Sequence, residues 1–124
     1  MKGQGSISDW RQQRNGAAVD KTAAEFGQLD ILVNNAGIFV VKPIELLTLN
    51  DFDNTVNVNV RAVFFASQAA AAHIGEGDRI ISIGSNLAEH VSMPGASLYS
   101  LSKSALIEFT KGLARDLGDS HFEY

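Results

Sequence analysis

Tyr99 and Lys103 stand four residues apart, and at that spacing a phenol and an ammonium share one face of a helix and can reach the same reacting atom. A phenol ordinarily keeps its proton up to pH ~10, and a fixed positive charge beside it favours the phenolate nearer neutrality. The pair therefore suits acid–base chemistry on an oxygen, with Tyr99 as the group that exchanges the proton. The same spacing also describes one packed ring and one solvated charge, so the surrounding residues decide between the two. Asn59 sits between Val58 and Val60 and must find hydrogen-bond partners or cost stability. Ser85 follows the apolar run around Ile80, and Asn34-Asn35-Ala36-Gly37 follows another at Ile31. Each of these alone reads as a structural hydrogen bond or an ordinary polar strand end.

Such residues need elements to hold them. From Ala17 to Phe26 the positions Val19, Ala23 and Phe26 recur at helical spacing, and Gly27 stands where a helix C-terminal glycine belongs. Ile31-Leu32-Val33 is a continuous aliphatic run of the kind found in a strand buried on both faces. Lys42-Pro43 lies in the following connection, and Thr48-Leu49-Asn50-Asp51 offers cap residues for a long helix running to about Ile74. That helix carries two apolar stripes, one through Phe52, Val56, Val63 and Ala70, the other through Val58, Phe65, Ala69 and Ala72. One can cover a sheet, and the second needs another partner. Gly75-Glu76-Gly77-Asp78 makes a turn, Arg79 to Ser85 reads as a second buried strand, and a last helix runs from Tyr99 to about Leu117, with Leu106, Ile107, Phe109, Leu113 and Leu117 available for packing.

The order helix, strand, helix, strand, helix predicts an α/β fold whose two parallel strands are joined by a right-handed crossover. In open sheets of this kind chemistry gathers beyond the carboxyl ends of the strands, where Asn34 to Gly37 and Gly84-Ser85 lie. Residues 1–16 show no clear period and predict an irregular N-terminal arm ahead of a core over residues 17–124. Gly3-Gln4-Gly5 resembles the start of a phosphate-cradling loop, but no strand delivers it and Ser8 holds the third glycine position, which favours a flexible start.

Composition removes several function classes. The formal charge of the 124 residues is −4 and basic residues do not cluster, so no patch exists to neutralise the phosphates of a nucleic acid. Without cysteine there is no disulfide scaffold or thiolate metal site, and His73, His90 and His121 stand too far apart for ligand spacing, so no metal is expected. The opening Met1-Lys2-Gly3-Gln4-Gly5-Ser6 has no apolar signal segment and no apolar run approaches a membrane span. The expectation is a soluble cytoplasmic protein.

Taken together, these residues resemble the short-chain dehydrogenase/reductase family. The resemblance runs from about Ala17 to Gly118 and rests on Asn34-Asn35-Ala36-Gly37, on Asn59-Val60-Arg61-Ala62-Val63-Phe64, on Ile83-Gly84-Ser85, and on Tyr99 with Lys103 followed by Ala105-Leu106. It implies a Rossmann-like parallel sheet flanked by long helices, and NAD- or NADP-dependent interconversion of a small carbonyl compound and a secondary alcohol, with the hydride carried by the cofactor. It further implies that Tyr99 exchanges a proton with the substrate oxygen, that Lys103 eases loss of that proton and hydrogen-bonds the nicotinamide ribose, that Ser85 orients the reacting oxygen, and that Asn59 holds a water relaying protons through Lys103. Asn34, Ala36 and Gly37 would bind the cofactor on its adenosine side, Gly37 by permitting close backbone approach, with Tyr99 and Lys103 on the nicotinamide side.

Against the family's pattern, the first strand with its glycine-rich pyrophosphate turn and the second strand that reads the adenosine ribose have no counterpart. The stretch ahead of Ala17, about 16 residues, falls short of the ~30 that one βαβ unit takes. Residues 119–124 do not read as the next buried strand either. The expectation is the central part of an enzyme: an incomplete, two-stranded sheet whose cofactor binding is weakened, since a fall from micromolar to millimolar affinity needs a loss of only about 4 kcal/mol. Two strands with open edges are marginal by themselves, so self-association through those edges or through the apolar helices is expected. The alternative function is then a non-catalytic remnant whose property is that assembly. Glu89 and His90, in the loop between the second strand and the last helix, read as solvated surface residues.

Overall fold

The computed structural model describes residues 7–118. Helix α1 spans Ile7–Phe26, strand β1 Ile31–Asn34, α2 Leu49–Val56, α3 Ala62–Ala71, β2 Arg79–Ser82 and α4 Ser97–Asp116. Between α2 and α3 the backbone stays helical through a π turn over Asn57–Arg61, and short 3-10 turns occupy Ile44–Leu46 and Asn86–Ala88. The strands pair in parallel, Ile31 beside Arg79 and Asn34 beside Ser82, and the Ile83 amide donates to the Asn34 carbonyl at 3.0 Å just past the ladder. This is the α/β order that the sequence predicts.

Helix α1 starts at Ile7 rather than at Ala17, so the arm expected to be irregular is helical from there on. Arg11-Gln12-Gln13-Arg14 are good helix formers with no β-branched residue, and a helix anchored by its packed segment around Val19 extends through them at little cost. Gly3-Gln4-Gly5 and residues 119–124 lie outside the described residues. At its other end α1 stops at Gly27, whose φ of 77° is the left-handed conformation that a helix-terminating glycine supplies.

Among the described residues only one face of the sheet is covered. Side chains alternate along a strand, so Leu32, Asn34, Ile80 and Ser82 share a side. On that side Ile80 joins Val19, Ala23, Leu29 and Ala70 in the core, with Leu32, Leu113 and Leu117 packed against it. Helices α1 and α3 and the end of α4 therefore all sit on this side. Ile31 and Val33 point the other way and are 59% and 52% exposed, so the expectation of strands buried on both faces does not hold among the described residues. Because the run Ile31-Leu32-Val33 is apolar at both parities, its pattern does not tell a covered face from a bare one.

Along α2, the π turn and α3, Val63 and Ala70 of the first expected stripe are buried, but the rest of the buried stripe differs from the expectation. Thr55, Asn59, Val63, Ser67 and Ala70 are buried, whereas Phe52 and Phe64 are exposed. A π turn inserts one residue into the helical repeat, so positions counted at regular spacing across Asn57–Arg61 change face. Small side chains on the resulting buried face bring helices close, and a Cβ added at Gly16 of α1 would lie 3.8 Å from that of Ala69. The helix ends at Ala71, short of Ile74.

One capping box and one loop–loop hydrogen bond fix how the chain enters α2 and α4. Thr48 and Asp51 form a reciprocal capping box at the start of α2, each side chain accepting from the other's backbone amide at 3.0 Å. The Lys42 ammonium reaches the same Asp51 carboxylate at 2.8 Å. Lys42 also donates its backbone amide to the Gly95 carbonyl at 3.0 Å, joining the loop after β1 to the loop before α4. Gly95 has φ 84°, and a Cβ there would lie 2.9 Å from Val41 Cγ1, so the junction has no room for a side chain. No helix among the described residues is long and apolar enough to cross a membrane.

Candidate active site

The site is built where the chain leaves β1, where it leaves β2, and where α4 makes its first turns. Asn59, fully buried in the π turn, is the centre of it. Its Oδ1 accepts from the Ile38 amide at 2.9 Å, and its Nδ2 donates to the Ile38 carbonyl at 3.0 Å and to Ser102 Oγ at 3.0 Å. Ser102, equally buried, donates its own hydrogen to the Tyr99 carbonyl at 2.7 Å. Because the serine hydrogen is committed there, Ser102 must accept from Asn59, and this fixes which way the Asn59 amide faces. A single hydrogen-bonded line thus runs from the loop after β1, through the π turn, into the first turn of α4.

Lys103 follows Ser102 and is almost wholly buried; its ammonium donates to the Ile83 carbonyl at 3.1 Å, at the end of β2. Gly37 lies against the same group. A Cβ at Gly37 would come 3.3 Å from Lys103 Nζ and 3.4 Å from Asn59 Oδ1, so the absence of a side chain is what lets the strand end approach them. Beside Lys103 a cavity of 230 Å³ opens between the end of β2 and α4, lined also by Ser82, Gly84, Leu106, Ile107 and Thr110. The ring of Tyr99, half-buried, packs edge-on with Phe39, centroids 4.5 Å apart and planes at 74°.

The structure thus brings Asn59, Lys103 and Gly37 together and ties Tyr99 to them through Ser102. Ser85 stands at the end of β2 and accepts from the Leu87 amide at 3.2 Å, capping the 3-10 turn. Among the described residues no hydrogen bond joins the Tyr99 hydroxyl to Ser85 or to Lys103. Asn34 turns into the helix layer, where its amide donates to Ser67 Oγ at 3.2 Å and to Ser82 Oγ at 3.4 Å. At that strand end Ala36 and Gly37 are the predicted residues left exposed. Both amide hydrogens of Asn59 are engaged, so a water held by its side chain would have to donate to the second lone pair of Oδ1. No group of carboxylate, histidine or cysteine side chains suited to a metal ion occurs among the described residues.

Sequence reasoning missed Ser102, Ile38 and Phe39. The signal for Ser102 is a small polar residue one turn from Tyr99 and next to Lys103, on the side of α4 that faces Asn59. For Ile38 nothing in the side chain helps, because its backbone makes both contacts.

Comparisons with known proteins identify the family. A family model described as short chain dehydrogenase matches residues 4–122. The chain belongs to the short-chain dehydrogenase family. Among curated relatives, a short chain dehydrogenase/reductase, AacuN, of Aspergillus aculeatus is 41% identical over 101 residues, which cover 82% of this chain and 38% of the relative. The hydroxynaphthalene reductase arp2 of Aspergillus fumigatus is 41% identical over 100 residues, 81% of this chain and 36% of the relative. Among solved structures, a short chain dehydrogenase from Burkholderia cenocepacia in complex with NADP superposes with a TM-score of 0.86 at 58% identity, over 90% of this chain and 45% of that one. A short-chain dehydrogenase/reductase from Serratia marcescens does so with a TM-score of 0.84 at 50% identity, over 93% of this chain and 52% of that one. The chain therefore has the short-chain dehydrogenase α/β fold and spans about two-fifths of the length of these curated relatives and about half of these solved chains.

Proposed function

We propose that the chain carries the proton-transfer side of an NAD(P)-dependent oxidoreductase site that interconverts a carbonyl compound and a secondary alcohol. The observation that carries this reading is Lys103. The residue is 5% exposed, yet of the three N–H donors of its ammonium only one, to Ile83, is matched among the described residues. A buried ammonium with donors to spare beside a cavity calls for an acceptor from outside, and the hydroxyls of a cofactor ribose have that chemistry. Gly37, which puts no side chain between the strand end and Lys103, suits the same guest. The NADP held by the Burkholderia protein and the reductase name of the Aspergillus fumigatus relative support the reading.

A nicotinamide cofactor, when bound, supplies or accepts the hydride. The rest falls to side chains of this chain. Tyr99 gives its proton to the substrate oxygen in reduction and takes it back in oxidation. Ser85 accepts from Leu87 and, with its own hydrogen given to no other group among the described residues, donates it to the reacting oxygen. Asn59 acts as a positioning residue that holds the Gly37 strand end and α4 in fixed relation.

Calorimetric titration of the purified chain with NADH and NADPH up to millimolar concentration tests this. Saturable binding of at least one of them is expected, weakened about tenfold or more in Lys103→Ala, the size of one hydrogen bond to a charged group. Absence of binding to both overturns the reading. The second reading, a non-catalytic chain that self-associates, is favoured by the bare sheet face and by exposed Phe64, which packs with Phe109 at 5.5 Å between centroids on the outer side of α3 and α4. Indifference to both cofactors together with a mass above the monomer in light scattering would establish it.

A further inference from the structure

Phe39 is held by its chain neighbours on both flanks and is only partly covered. Its ring packs on Tyr99, yet 53% of the residue is exposed. Just before it, both backbone groups of Ile38 are held by Asn59. Just after it, Val41 fits against Gly95 and Lys42 donates to the Gly95 carbonyl. A phenylalanine that serves a core has its surface covered by neighbours, and one on an ordinary loop is not clamped at two points. The ring that Phe39 packs on is that of Tyr99, the residue assigned to proton exchange. The two loops that meet at Gly95 also expose Val41, Val91 and Met93.

We infer that Phe39 is a specificity-determining wall of the substrate site, and that it favours carbonyl compounds bearing an aryl group over small aliphatic ones. The inference rests on the oxidoreductase reading for the identity of Tyr99 as the reacting group. An aryl substituent placed beside Phe39 removes the exposed part of that ring from water and adds an aromatic pair, which together discriminate by about five- to tenfold. A methyl substituent of the same ketone reaches neither.

The test is ligand-observed saturation-transfer NMR on the chain with acetophenone and, separately, acetone, for wild type, Phe39→Ala, Phe39→Leu and Phe39→Tyr. The expected result is preferential binding of acetophenone by wild type, an affinity about fivefold weaker in Phe39→Ala and Phe39→Leu, retention in Phe39→Tyr, and no change for acetone in any of them. Leu keeps the bulk without the ring, so a loss common to both variants with unchanged far-UV circular dichroism is not a folding effect. Acetophenone binding that is absent in wild type, or equal in wild type and the two ring-free variants, overturns the inference. The two readings fail separately: Phe39-dependent ketone binding in a chain that ignores NADH and NADPH sinks the oxidoreductase reading alone. Cofactor binding with a ketone affinity indifferent to Phe39 sinks this one alone.

Discussion

Asn59 shows what one buried amide does when every polar atom on it has a partner. Its three hydrogen bonds join segments that are distant in sequence, and water cannot replace any of them at zero exposure. Asn59→Ala leaves the Ile38 amide and carbonyl and the Ser102 hydroxyl without that partner, and we expect a loss of about 2–4 kcal/mol in chemical denaturation. Ser102→Ala should cost less in the Asn59→Ala background than in wild type, because the two residues share one bond. The position was legible in the sequence, since a lone amide between Val58 and Val60 must be satisfied. Its partners were not, because one is backbone and the other, Ser102, is brought in only by the docking of α4.

At the scale of elements, the clearest local signal was the start of α2. Thr48 and Asp51 were readable as cap residues, but Lys42, nine residues ahead of Asp51, was not, because the loop after β1 has to fold back to bring it there. The hydrogen bond from Lys42, followed by that from the Thr48 backbone, holds the Asp51 carboxyl below the ordinary aspartate range. The sign of the pH effect follows. With a lower value in the folded chain, the unfolded chain takes up the proton first, so this contribution is fully present above about pH 4–5 and fades as pH falls through the folded value. Urea midpoints measured between about pH 6 and 3 should fall toward acid more steeply in wild type than in Asp51→Asn. The π turn had no such signal: no residue type demands it, and its effect is to carry Thr55, Asn59 and Ser67 to the buried face while Phe52 and Phe64 stay outside. The extent of α1 was equally hidden, since its first turns lack the apolar period by which a packed helix is recognised.

For the whole molecule, the decisive feature is a parallel sheet that, among the described residues, has helices on one side. The order of elements was legible because strand and helix patterns differ in period, but which face of a doubly apolar strand is covered is settled only by where α1, α3 and α4 dock. Two substitutions separate the faces. Val33→Lys, on the bare side, should change stability by no more than about 0.5 kcal/mol. Leu32→Lys, one residue away, puts a charge against Ile80 and the helices and should leave the chain unfolded in circular dichroism. The bare face also affects how any melt of this protein is to be followed. An environment-sensitive dye that brightens on apolar surface finds Ile31 and Val33 before heating begins, so a dye-monitored curve starts bright and understates the cooperative transition. Unfolding is better followed by ellipticity, which responds to the helices and is blind to what the sheet shows to solvent.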